Sequence, residues 1–232
     1  MAWQGIWAAV GASLPCEVGG GARRGGIAYI GAMKLHLAVL APLTLLLWTL
    51  PMAAKEVPLD QLSAYLNSWK TVQASFVQVN ADGSKAKGTI YIQRPGRARF
   101  EYAAPDKNLV IAAGGQVVIF DARSNQPPEQ YPLARTPLNL ILAQKVDLSN
   151  AKMVVGHREV GDVTVVKAQD PKHPDYGTID LVFSANPIAL KQWIITDDIG
   201  NQTSVTLGDL ETGQAYPASL FSMEVELAKR NR

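Results

Sequence analysis

Side chains able to do chemistry are few in this chain and poorly grouped. Its histidines are His36, His157 and His173, and His173 lies in the segment Asp170-Pro171-Lys172-His173-Pro174-Asp175. Asp170, His173 and Asp175 could in principle ligate a metal, but Pro171 and Pro174 suit a simple turn better, so no metal site is expected. Asp197-Asp198 precedes Ile199-Gly200, which reads as hairpin chemistry and not as a general acid and base pair. The sequence has no Gly-x-Ser-x-Gly elbow and no His-Glu-x-x-His helix, and its glycine-rich run is confined to residues 19–26. The expectation is a protein with no catalytic residues and no cofactor.

The arginines are more informative. Arg94 ends a strand-like run just before Pro95. Its guanidinium offers five donors, so it is either an ordinary exposed arginine beside a turn or a group that satisfies free carbonyls at a helix end. Arg97 and Arg99 alternate on one strand face and are expected in solvent.

The elements that would position such groups begin well inside the chain. From Met33, a basic head (Lys34, His36) leads into the apolar run Leu35 to Leu50, which ends in Pro51-Met52-Ala53-Ala54. That is the plan of a secretory signal peptide over residues 33–54. The run is shorter than the roughly 20 residues a spanning helix needs, and Pro42 interrupts it. Residues 1–32, with Gly19-Gly20-Gly21-Ala22-Arg23-Arg24-Gly25-Gly26, read as a non-native or disordered extension; Arg23-Arg24 matches a twin-arginine export signal poorly.

Residues 55–232 would then form one domain with a single sizeable core. It carries nineteen basic and nineteen acidic residues, and Cys16, the chain's one cysteine, falls outside it. A balanced charge argues against nucleic acid or an anionic membrane as the main partner. Without a cysteine the domain depends on its core alone. The expected state is a monomer.

Leu59, Leu62, Leu66, Trp69 and Val72 recur at helical spacing, so one amphipathic helix opens the domain. From Gln73 the period becomes two, with a turn at Ala81-Asp82-Gly83-Ser84. Alternation continues through Thr89-Ile90-Tyr91-Ile92, breaks at Pro95-Gly96, and resumes from Arg97 to Tyr102, predicting a hairpin with one wet face. Leu109 to Ala113 and Gln116 to Asp121, joined by Gly114-Gly115, predict the next hairpin. Thr136-Pro137 caps a short helix reaching Gln144 with Leu138, Ile141 and Leu142 on one side. Further strands are predicted near Met153 to His157, Val163 to Ala168, Thr178 to Phe183, Leu190 to Thr196 and Thr203 to Leu207. About ten strands and two helices imply a mainly β protein, a curved antiparallel sheet covered by helices; spacing alone also allows a sandwich.

The run Ala74-Ser75-Phe76-Val77-Gln78, Gly88, Ile90-Tyr91-Ile92-Gln93-Arg94-Pro95, Arg99-Phe100-Glu101-Tyr102, Pro105 and Gly115 before Val118-Ile119-Phe120-Asp121 resembles the LolA family of lipoprotein carriers. Thr136-Pro137, Leu190-Lys191-Gln192-Trp193 and Asp198-Ile199-Gly200-Asn201-Gln202-Thr203 extend the likeness almost to the C-terminus. The chain departs from the pattern at Ala112-Ala113-Gly114-Gly115, where many members have an acidic residue, and in the segment after Leu220-Phe221.

The resemblance implies an unclosed β-barrel with a helical lid, working in the periplasm and holding the acyl chains of a lipoprotein. It implies an inner-membrane ATP-driven releasing complex and an outer-membrane acceptor as partners. It also implies that Arg94 holds the lid to the barrel. Candidates for contact with acyl chains are Trp69, Phe100, Tyr102, Ile111, Phe120, Leu138, Leu142 and Trp193, although residues that line a cavity and residues that fill a core look alike in sequence.

Overall fold

The computed structural model describes residues 56–230 except 125, 137, 150 and 151. The readings of residues 1–32 and 33–54 fall outside the described residues, as does Cys16.

Helix α1, Leu59–Ser68, opens the domain and buries Leu62 and Leu66. Asp60 in its first turn complements the positive end of the helix. Trp69 and Val72, expected on the same helix, lie beyond it: Trp69 is the C-cap and Val72 belongs to the first strand. Both still face the core, because the change from helix to strand keeps them on the side that α1 covers.

Twelve strands follow in chain order: β1 Thr71–Val79, β2 Lys85–Gln93, β3 Arg97–Tyr102, β4 Leu109–Ala113, β5 Gln116–Phe120, β6 Glu129–Pro132, β7 Val154–Val160, β8 Val163–Gln169, β9 Thr178–Ala185, β10 Ile188–Thr196, β11 Gln202–Leu207 and β12 Glu211–Thr212. Helix α2, Leu138–Leu142, lies between β6 and β7, and helix α3, Met223–Arg230, follows β12. The sheet order is β6-β5-β4-β3-β2-β1-β11-β10-β9-β8-β7, with β12 paired to the start of β1. Every pairing is antiparallel. The two outermost strands, β6 and β7, do not pair with each other, so the barrel is unclosed.

Strands β6 and β12 were not expected. Glu129-Gln130-Tyr131-Pro132 is mostly exposed and has no apolar alternation, and β12 spans two exposed residues, so neither leaves a periodic signal. Helix α3 was also missed, because only part of one short face is buried.

The concave face carries the main core, built from alternate residues such as Val72, Ala74, Phe76, Ile90, Ile92, Phe100, Leu181, Phe183, Trp193 and Val205. The helices α1 and α2 cover it through Leu62, Leu66, Leu138, Ile141 and Leu142. Gly88 faces Phe76 across the β1–β2 pair, and a Cβ there would fall 2.7 Å from the Phe76 ring. Glycine is required so that this ring can lie flat on the strand and meet Phe100 and Tyr102 edge-on at 5.8 and 5.1 Å.

The wet face expected of the β2–β3 hairpin is covered at Arg99, and across β4 and β5 the same face is apolar. Leu109, Ile111, Val118 and Phe120 form a second apolar cluster on the convex face, beneath Met223 and Leu227 of α3. This explains why β4 and β5 read as unbroken apolar runs: both faces are buried.

Candidate functional site

Just past the end of β2, half-buried Arg94 joins the sheet to the C-terminal ends of both covering helices. Arg94 Nε donates to the Ala143 carbonyl at 3.0 Å, and Nη2 donates to the Ala143 and Gln144 carbonyls and to Asn67 Oδ1. Nη1 donates to the Leu66 carbonyl in the last turn of α1. One guanidinium here reaches the C-terminal exits of two helices: the Leu66 carbonyl, which also accepts from Trp69 N at 3.3 Å, and the Ala143 and Gln144 carbonyls just past α2. Burial pulls the Arg94 pKa down, but a guanidinium keeps its charge at any physiological pH. The backbone repeats the attachment: Arg94 N donates to Lys70 O and Gly96 N to Leu142 O, each at 2.9 Å.

Several side chains with no signal of their own in the sequence complete the junction. Asn67 brackets residue 146, donating to Val146 O at 2.7 Å and accepting from Val146 N at 2.9 Å. Ser63 Oγ donates to Leu59 O and accepts from Leu148 N. Both tie α1 to the segment that follows α2. Tyr65 accepts from Leu190 N at 3.1 Å, and its ring meets Trp69 and Phe183 edge-on at 5.4 and 6.2 Å. Burial pushes the Tyr65 hydroxyl pKa up. Polar residues on an otherwise amphipathic helix carry no periodic signal, which is why these were not legible.

Of the acyl-contact candidates, Trp69, Phe100, Tyr102, Leu138, Leu142 and Trp193 lie together in the concave core. Phe100 reaches across to Trp193 with ring centroids 6.4 Å apart. Ile111 and Phe120 are placed elsewhere, in the convex cluster under α3. The alternation explains this, since Ile111 pairs with Arg99 and Val118 and therefore shares the convex face with them.

Within the aromatic group the Tyr102 hydroxyl donates to Gln78 Oε1 at 2.8 Å, and Gln78 Nε2 donates to Asn80 Oδ1 at 2.6 Å. Burial drives the Tyr102 hydroxyl far above its ordinary pKa, so it remains a neutral donor. Beside α2, a small opening of about 100 Å³ leads in from the surface, floored by Leu140, Met153, Ala168 and Ile179 and rimmed by Arg135 and Asp170. It lies where α2 meets β8 and β9, at the unclosed side of the sheet.

Arg99, expected in solvent, is buried. Its Nε lies 2.6 Å from Glu101 Oε1, and its Nη1 donates to Leu220 O at 3.0 Å and approaches Glu226 Oε1 at 3.4 Å. Lys229 Nζ meets the same Glu226 oxygen at 2.7 Å, and the Arg230 guanidinium lies 4.8 Å above the Phe120 ring. The C-terminal segment covers this part of the convex face, so the alternation correctly gave the face but not its exposure. Arg97 is exposed as expected.

Thr136, expected to cap α2, instead turns its hydroxyl back to Leu133 O at 2.9 Å. No helix among the described residues is long and apolar enough to cross a membrane.

The arrangement is a binding architecture: a curved apolar surface under two helices that are tied to it by a few polar contacts. The family model for outer membrane lipoprotein carrier protein LolA matches residues 67–224. An outer-membrane lipoprotein carrier protein of Methylococcus capsulatus is 27% identical over 195 residues, covering 77% of this chain and 89% of the relative. Its counterpart in Chromohalobacter salexigens is 28% identical over 204 residues, covering 84% and 94%. A LolA superfamily protein of Nitrosomonas europaea, known as a crystal structure, is 9% identical with a TM-score of 0.41, covering 72% of this chain and 99% of the other. The matched span runs from the end of α1 to the start of α3, and the chain accordingly belongs to the family of outer membrane lipoprotein carrier proteins, LolA.

Proposed function

We propose that this protein is a periplasmic, non-catalytic carrier that takes up the acyl chains of lipoproteins on its concave face and delivers them towards the outer membrane. The observation that carries the reading is the single-arginine junction: Arg94 fastens both covering helices over an aromatic and aliphatic surface by contacts to their last carbonyls. Releasing the cover costs these hydrogen bonds and the apolar contacts of Leu62, Leu66, Leu138, Ile141 and Leu142, and acyl chains entering beneath the helices replace the apolar part of that loss.

Magnitudes constrain how such a carrier works. Burying one CH₂ contributes roughly 0.8 kcal/mol, so enclosing one long acyl chain is worth on the order of 10 kcal/mol. A carrier that encloses every methylene would not let go. Moving the helices aside costs part of that energy, which leaves a net affinity an acceptor can exceed. Loading then draws on an external energy source, in keeping with an inner-membrane ATP-driven releasing complex, and unloading on a tighter outer-membrane acceptor.

Recovery of the protein from the periplasm and mass spectrometry of what accompanies it tests this reading. Polypeptides bearing diacyl or triacyl cysteine are expected. Free phospholipid alone would instead point to a lipid-binding or sensor module on the same half-barrel.

A further inference from the structure

The concave core contains a hydrogen-bond donor that is not used. Trp193 is 1% exposed, and its indole Nε1 has no hydrogen-bond partner. Two other buried polar atoms share that condition among the described residues, Asp180 Oδ1 and Tyr216 Oη, and neither belongs to the concave core cluster. Asp180 Oδ1 has Lys167 Nζ at 3.7 Å, and Tyr216 packs against Tyr91 and Phe221.

The other polar groups of the concave aromatics are already committed, Tyr65 to Leu190 N and Tyr102 to Gln78. Trp193 stands in register with Leu181 and Val205, and its ring meets Phe100. These neighbours are apolar and offer a bridging water none of the partners it would need. Tryptophan contributes a donor and no acceptor, so what Nε1 lacks is an acceptor, and a ligand carrying one on this face supplies it. A plain hydrocarbon chain cannot.

We propose that Trp193 Nε1 is a positioning group for the ligand, donating to the carbonyl oxygen of an acyl ester when the helices move aside and acyl chains occupy the concave face. The inference rests on the carrier reading and deepens it: chain methylenes supply affinity without register, whereas one directed hydrogen bond fixes where the glyceryl end stops. It also gives the closed, empty state a cost that the loaded state relieves, because a buried donor left unmet is unfavourable. Acyl esters occur both in diacylglyceryl-cysteine and in membrane phospholipid, so the chemistry is shared and the source must be distinguished by experiment.

The test compares a dipalmitoyl-glyceryl-cysteine peptide with its dihexadecyl ether analogue, which lacks the two ester carbonyls. Each is titrated into the full chain and into Trp193→Phe, with dipalmitoyl phosphatidylglycerol vesicles as a third probe. The wild type should prefer the diester by about fivefold to tenfold, the range expected of one net hydrogen bond. In Trp193→Phe that preference should vanish by loss of diester affinity alone, a split that simple space-filling by the ring would not produce. The indole N–H resonance absent from the Trp193→Phe spectrum should move downfield with diester and not with diether.

Equal binding of diester and diether by the wild type would overturn the Trp193 role and leave the carrier reading standing. A phospholipid-only response with the same dependence on Trp193 would keep the role and overturn the lipoprotein carrier. Binding of none of the three would overturn both.

Discussion

Arg94 donates through Nε to the carbonyl oxygen of Ala143 at 3.0 Å, joining the end of a strand to the exit of a helix 49 residues further along the chain. The same guanidinium reaches Leu66 O, 28 residues earlier. Arg94→Leu keeps apolar bulk near the strand end but leaves Leu66 O with Trp69 N alone and takes the guanidinium donor from Ala143 O. A loss of about 1–3 kcal/mol in global stability is expected, the range for unmet buried acceptors. Amide exchange should accelerate at 59–68 and 138–144 while the central strands stay protected, and release of bound acylated peptide to an acceptor should slow or fail. Unchanged exchange in both helices together with unchanged transfer would count against a latch.

Arg99 and Glu226 supply a pH-dependent attachment on the opposite face. Burial acts to raise the Glu226 pKa, but the Lys229 hydrogen bond and the Arg99 and Lys229 charges outweigh it and hold the carboxyl below its ordinary range. The ionised form is therefore favoured by folding. Its contribution is complete above the ordinary carboxylate pKa and is lost as pH falls through the lowered, folded value. Amide protection factors at 218–230, taken relative to the intrinsic exchange rate at each pH, should fall on acidification and stay flat near neutral pH, and Glu226→Gln should remove most of that pH dependence. An acid response of equal size in Glu226→Gln would refute this assignment.

Gly88 tests the aromatic group that spans β1 to β3. A methyl group there would strike the Phe76 ring and the Glu101 carbonyl. Gly88→Ala should cost about 2–3 kcal/mol, at the upper end of what overpacking usually costs, visible as a lowered denaturant midpoint with little change in slope. A variant as stable as the wild type would mean that the ring packing is looser than described.

How much of this was legible in the sequence depends on what each residue does. Alternation in Arg97 to Tyr102 gave the faces correctly, and Gly114-Gly115 marked its hairpin, because period and turn chemistry are local properties. Arg99 was misread because its exposure is set by Leu220 and Glu226, more than 120 residues away, and no local pattern carries that. Ile111 and Phe120 were grouped with Phe100 on hydrophobicity alone; a register count across β3 to β5 would have separated them. Arg94 is legible through the family resemblance, whereas the contacts of Asn67 and Ser63 depend on the positions of residues 146 and 148.

Whether acyl chains bind the concave face and not the convex one is read by site-specific photo-crosslinking in exporting cells. A photoreactive residue is placed in turn at Leu142, in the concave core, and at Phe120, in the convex cluster. Adducts to acylated polypeptides are expected from position 142 and none from 120. Adducts from 120 alone, or from neither position while the protein remains folded and exported, would contradict binding on the concave face.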